Sequence, residues 1–190
     1  MKDQIRVLGI DDGPFKFKAG KVPIIGVIIR PPNYIEGICR SEVTIDGSDA
    51  NESVKNMVKN SAYKDQIRLI MFDGVALGGF NVIDIESIYQ SLGIPIVTIS
   101  RTEPNMVVIK DALKKHFSDW KYRWNAINKL DLIKINTNFN PIFIKFVGTS
   151  LSEITRSIKL TTVQGVLPEP IRVAHLIASA LVKGESYGKA

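Results

Sequence analysis

The sequence has one cysteine, Cys39, and two histidines among its 190 residues. A single cysteine forms no intrachain disulfide, and so few soft ligands do not suit a structural zinc site. No apolar run approaches the roughly 20 residues that a membrane helix needs. The opening segment MKDQIRVLGI is charged and then strand-like. It lacks the apolar core and small-residue cleavage site of a secretory signal. There is no internal repeat, low-complexity tract or linker-like stretch. These absences argue against a disulfide-stapled secreted module, a zinc module and a helical membrane protein. The expectation is a cytoplasmic chain forming one domain over residues 1–190.

What is present is a basic, ordinary globular composition. Lysine and arginine number 25 against 19 acidic residues, a net charge of +6. Such a balance favours polyanionic partners, DNA or RNA, because each neutralised phosphate releases condensed counterions. Hydrophobic residues make up 45% of the chain, enough to enclose a real core.

The hydrophobic pattern predicts strands over 5–10, 22–30 and 37–45. Their connections are too short for helical crossovers, so they form an antiparallel meander. Alternating helix and strand then follow, with a helix from Asp49 to about Ser61 and a strand over 66–72. A helix over 82–92 ends at Gly93, and a strand over 95–99 comes next. That alternation implies parallel pairing. Helices over 105–117 and 119–129, a hairpin over 130–147, and helices over 150–160 and 171–183 complete the chain. The sum is an α/β fold of ribonuclease-H-like type, a mixed sheet of three antiparallel and then parallel strands flanked by helices.

Two aspartates follow apolar strands, Asp11 in Leu8-Gly9-Ile10-Asp11-Asp12-Gly13 and Asp73 in Phe72-Asp73-Gly74. Open α/β sheets place their sites at these carboxyl ends. Two such carboxylates on neighbouring strands can share one hard cation, Mg²⁺ or Mn²⁺. The plainer reading of each is a turn held by its own backbone. Asp49 is either the N-cap of the helix it opens or a third oxygen ligand, with Glu52 an alternative donor. Gly74, Gly78 and Gly79 let the backbone approach a ligand closely, and Asn81 follows them. Lys16 and Lys18 put positive charge in the first loop. Arg172 and His175 share a helix face and can face a phosphate, although His175 also reads as a packed histidine. Lysines near Trp120 and Trp124 make either a strand-binding platform or a solvated helix face.

These residues resemble those of an archaeal protein family grouped with endonuclease V. The likeness rests on Leu-Gly-Ile-Asp at 8–11, Phe-Asp-Gly at 72–74, Gly-Gly-Phe-Asn at 78–81, Thr-Thr-Val-Gln-Gly at 161–165 and Pro-Glu-Pro-Ile-Arg-Val-Ala-His-Leu-Ile-Ala-Ser at 168–179. The resemblance implies a metal-dependent endonuclease acting near deaminated bases in DNA or RNA. It makes Asp11, Asp73 and Asp49 the catalytic carboxylates, Asp11 and Asp73 the metal ligands, and Lys16, Lys18, Arg172 and Asn81 the nucleic-acid contacts. Three features depart from endonuclease V. Its glutamate is replaced by Asp49, and its late histidine falls near Arg172, with His175 offset. Its base-reading wedge has only a faint echo in Pro31-Pro32-Asn33-Tyr34. A binding protein without catalysis, an enzyme acting on a small phosphorylated substrate and a homodimer all stay open.

Overall fold

A computed structural model describes residues 5–15 and 20–186. The chain begins with an antiparallel meander, β1 (Arg6–Asp12), β2 (Lys21–Arg30) and β3 (Tyr34–Thr44). Helix α1 (Ala50–Lys59) returns the chain to β4 (Ile67–Asp73), which lies parallel to β1. A two-rung hairpin, β5 (Ala76–Leu77) and β6 (Asn81–Val82), precedes α2 (Ile85–Leu92) and β7 (Ile96–Ser100), which is parallel to β4. Then come α3 (Met106–His116), α4 (Trp120–Asn128), β8 (Ile133–Ile135), β9 (Ile142–Val147), α5 (Leu151–Thr161) and α6 (Glu169–Lys183). The main sheet runs β3-β2-β1-β4-β7-β9-β8. Antiparallel and parallel pairs therefore fall as the hydrophobic pattern implied, with β9 joining β7 antiparallel.

Several boundaries differ from expectation: β3 begins at Tyr34, β8 is only three residues long, and the start of α2 moves. Asn81 and Val82 pair as a strand, and the helix starts three residues later than foreseen, at Ile85. The cause is local: the Asp84 carboxylate accepts the Ser87 amide and caps the helix there.

Side chains alternate across each strand, so the sheet has two chemically distinct faces. Leu8, Ile10, Ile70 and Phe72 face α1 and α2, where Val54, Val58, Ile85 and Ile88 close one core. Val7, Leu69, Met71 and Val97 face the other way, under Ile154 and Ile158 of α5 and Ile171 of α6. By the same alternation Asp11 and Asp73 lie on the α6 face and Asp12 on the α1 face. Ala174 and Ala178 of α6 sit over Ile25, Val27 and Ile29, and these small residues let the helix ride low on the sheet. Helices α3 and α4 pack on Val75, Phe80 and Val82, beside the carboxyl edge of the sheet.

Gly9 controls the seat of α6. A methyl group at this position lies 2.5 Å from the Ile171 nitrogen and 2.5 Å from Pro170 Cβ, at the first turn of the helix. The obstacle is largely backbone and cannot swing aside. Gly9→Ala is expected to lift α6 from β1 and cost about 1–3 kcal/mol of overpacking strain. Urea unfolding measures this, and an unchanged midpoint would contradict the close seat.

Candidate metal centre

The ends of β1 and β4 and the second turn of α6 converge on one cluster. Asp11, Asp73 and His175 each offer a ligand atom, and these atoms all lie within 4.8 Å of one another. Asp11 is buried, with 5% of its surface exposed. One of its oxygens accepts the Asp12 amide at 2.9 Å, and the other lies 2.8 Å from His175 Nδ1. Arg101, just past β7, stands at the rim with its guanidinium 4.0 Å from Asp73.

Burial pushes the Asp73 carboxyl up to about 6, and the Asp11 charge adds to the rise, against the pull of Arg101 and His175. The hydrogen bond to Asp11 moves His175 up from its ordinary value of 6.5; burial and Arg101 oppose, while the Asp11 and Asp73 charges reinforce. On the opposite face Asp12 is likewise pushed up to about 6, by burial first and by Asp11 second. Its carboxylate accepts the Gly78 amide. Two crowded carboxylates and an imidazole are a donor set suited to a divalent cation of the Mg²⁺ or Mn²⁺ kind, whose charge relieves their repulsion.

Asp49 belongs to a different construction. Its oxygens accept the Thr44 amide at 3.0 and 3.2 Å, the Thr44 hydroxyl at 2.8 Å and the Asn81 amide group at 2.6 Å. Burial raises its pKa, but these hydrogen bonds together hold it below the usual carboxylate value. The carboxylate expected to be catalytic is engaged by the β3–α1 turn and is not among the donors of the Asp11–Asp73–His175 cluster. It does not cap α1 with its side chain either. Asn81 reaches across instead, its side-chain oxygen accepting the Ala50 amide at 3.0 Å. Asn81 is fully buried and also donates to the Thr44 carbonyl at 2.9 Å. It is not a nucleic-acid contact.

The glycine turn is fastened in the same way. Asp46 accepts the Phe80 amide at 2.8 Å, and Arg123 donates to the carbonyls of Gly47 and Phe80 at 2.8 and 2.6 Å. The Gly78 amide is thus taken by Asp12 and the Phe80 amide by Asp46.

Arg172 was expected to face a phosphate. It instead forms a bidentate pair with Glu169 at 2.8 and 2.7 Å, which braces the first turn of α6. Lys16 and Lys18 lie outside the described residues. The parts played by two residues were not legible in the sequence. His175 was weighed both as a phosphate-facing and as a packed residue, and only the docking of α6 sets it beside Asp11. Asp12 was read only as a neighbour of Asp11, although alternation alone sends it to the other face.

The sheet order is that of a ribonuclease-H-like fold, with acidic residues at its carboxyl edge. The endonuclease dU family model matches residues 3–182, and the chain belongs to that family. A UPF0215 protein of Methanosarcina mazei is 44% identical, over all of this chain and 97% of its own length. A crystal structure of a protein of unknown function from Archaeoglobus fulgidus is 32% identical with a TM-score of 0.85, covering 95% of this chain and 100% of that one. The catalytic domain of human endonuclease V is 12% identical with a TM-score of 0.61, covering 95% of this chain and 83% of that one, a likeness of fold. No helix of the described residues is long and apolar enough to cross a membrane.

Two measurements follow. The raised carboxyls of Asp73 and Asp12 destabilise the metal-free fold as pH climbs from 3.8 through about 6. The raised His175 stabilises it below 6.5, and that contribution is lost above. Metal-free melting temperature should therefore fall from about pH 4 to beyond pH 6.5, and millimolar Mn²⁺ should recover most of the loss at the alkaline end. A flat profile that ignores Mn²⁺ would contradict a cation site. Asn81→Ala removes the partner of the Ala50 amide and of Asp49, so it should cost about 2–3 kcal/mol in chemical denaturation and leave Mn²⁺ affinity within a few-fold.

Proposed function

We propose that this protein is a divalent-metal-dependent endonuclease acting on nucleic-acid strands that carry a deaminated base. The observation that supports this reading most directly is the gathering of Asp11, Asp73 and His175 at the carboxyl edge of the sheet. Asp11 and Asp73 would hold the ion, with His175 completing the donor set. A cation bound there supplies charge neutralisation at the scissile phosphate and activation of water.

The protein's own groups do the remaining work. Asp11 fixes the orientation of the His175 ring through its 2.8 Å contact. Arg101 stands where a phosphate next to Asp73 would lie. The Glu169–Arg172 pair and the close seat at Gly9 keep α6, and His175 with it, in register with the sheet.

The substrate class is drawn from the comparisons. The family is called endonuclease dU, which points to deoxyuridine. Endonuclease V of Ciona intestinalis, 13% identical with a TM-score of 0.57, was crystallised with DNA containing an inosine. Uracil and hypoxanthine are both products of deamination. A second reading has one observation behind it. With Asp49 engaged elsewhere, the cluster has one carboxylate fewer than the sequence led one to expect, which favours a strand-binding protein without cleavage.

End-labelled DNA and RNA carrying one deoxyuridine, uridine or inosine separates these readings when incubated with Mn²⁺, Mg²⁺ or chelator. The nuclease reading expects metal-dependent cutting that Asp11→Ala and Asp73→Ala reduce by more than the ~100-fold typical of losing an outer-shell partner. Salt-sensitive binding with no cutting under either metal would move the assignment to the second reading.

A further inference from the structure

On the α6 face a cavity of about 570 Å³ opens between the β8–β9 turn and the end of α5. Its walls include Asn136, Asn138, Phe139, Lys159 and Val163. We propose that this cavity receives one unstacked nucleobase of the substrate strand, a uracil-type base, apart from the cation site. The inference rests on the deaminated-strand reading given above.

Strand direction puts the cavity beside the chemistry. Asp73 is level with Ile99 of β7, and Ser100 is level with Phe143 of β9. Strand β9 runs antiparallel, so its start and the turn before it project from the same sheet edge as Asp11 and Asp73. Ile135 and Ile158, which line the cavity, belong to the same core as Ile171 of α6. Cavity and cation cluster therefore share an edge and a face. From β4 to β8 is three strand spacings of ~4.8 Å, about 14 Å in all. A strand crossing the edge spans both.

The lining matches a base. Phe139 is 62% exposed, although apolar rings at an unliganded surface are costly. It is held in place by its turn: the Thr137 hydroxyl accepts the Phe139 amide at 3.0 Å and donates to the Asn140 carbonyl at 2.9 Å. An aromatic ring presented in this way stacks on any base. The side chains of Asn136, Asn138 and Lys159 make no hydrogen bond or ion pair among the described residues. A carboxamide sets an N–H donor beside a carbonyl acceptor, the complement of the N3–H and O4 of uracil's imide edge. Lys159 supplies a cation for the adjoining phosphate. The volume lies within the roughly 300–1,000 Å³ usual for small-ligand sites. Such a pocket also supplies base reading to a chain whose Pro31-Pro32-Asn33-Tyr34 only faintly echoes the endonuclease V wedge.

The test titrates deoxyuridine 5′-monophosphate, without metal, into isotopically labelled protein and follows backbone amide resonances. The expected result is saturable shifts over 135–139 and 155–165, weakened about 10-fold or more in Phe139→Ala and in the double variant Asn136→Ala, Asn138→Ala. All three side chains are exposed, so both variants should melt like the parent, and Lys159→Ala provides a third check. Absence of shifts near Phe139 up to millimolar nucleotide, or shifts that the variants leave unchanged, overturns the pocket. The cutting assay is read separately. A protein that binds the nucleotide at Phe139 yet cuts no strand supports the pocket and overturns the nuclease. A protein that cuts deoxyuridine strands while the nucleotide shifts nothing near Phe139 does the reverse.

Discussion

An aspartate on the first strand and a histidine on the last helix, 164 residues later in the chain, stand 2.8 Å apart. That contact exists only because α6 lies unusually low on the sheet. Gly9 leaves room for the backbone of Pro170 and Ile171, and Ala174 and Ala178 continue the close approach over β2. The Glu169–Arg172 pair then stiffens the first turn. Small residues thus do what large ones usually do in a core, setting a distance rather than filling a volume. Asp73 is the unfavourable element of the arrangement, since its carboxylate is buried beside that of Asp11. Asp11 is matched by His175 and Asp73 only by the more distant Arg101, so a cation between the two carboxylates would relieve the repulsion that remains.

The loops beside the cluster are fastened by buried polar groups whose hydrogen bonds are spent on the backbone and on one another. Asn81 is fully buried, supplies the cap that Asp49 does not, and holds the Asp49 carboxylate in return. Arg123 is 6% exposed, carries its charge among the carbonyls of Gly47 and Phe80 and the carboxylate of Asp119, and lies over the Phe117 ring at 4.2 Å. A desolvated guanidinium needs this many partners, and removing any of them leaves charge uncompensated. The outcome is a rigid frame on which Gly78 meets Asp12.

Much of this was legible in the sequence. Strand ends followed by aspartate marked Asp11 and Asp73, but that both lie on one face follows only from the β1–β4 register, with Ile10 level with Phe72. Apolar patterning separated the antiparallel meander from the helix–strand alternation that follows. What stayed hidden involved pairs distant in sequence. Nothing near Asp49 shows that Asn81, 32 residues away, will occupy it. The Glu169–Arg172 pair is the exception, since three residues on one helix face is a spacing the sequence displays. The β5–β6 hairpin was lost for a different reason: two-residue strands carry no periodicity to detect. His175 was visible as a residue and invisible as a neighbour, since only the docking of α6 brings it to the sheet.

The position of α6 in the chain also has a kinetic meaning. It is the last of the described elements to leave the ribosome, while β1 and β4 are among the first. Closing a loop of this length carries an entropic cost that grows only slowly with length, so late docking is no great thermodynamic burden. It does order events in time. The acidic edge can assemble with the first half of the chain, but the cluster is complete only once α6 has been made. A nascent or truncated chain would carry an open groove at Gly9 and no histidine at its strand ends. The chemistry of the edge is thereby tied to the synthesis and docking of α6.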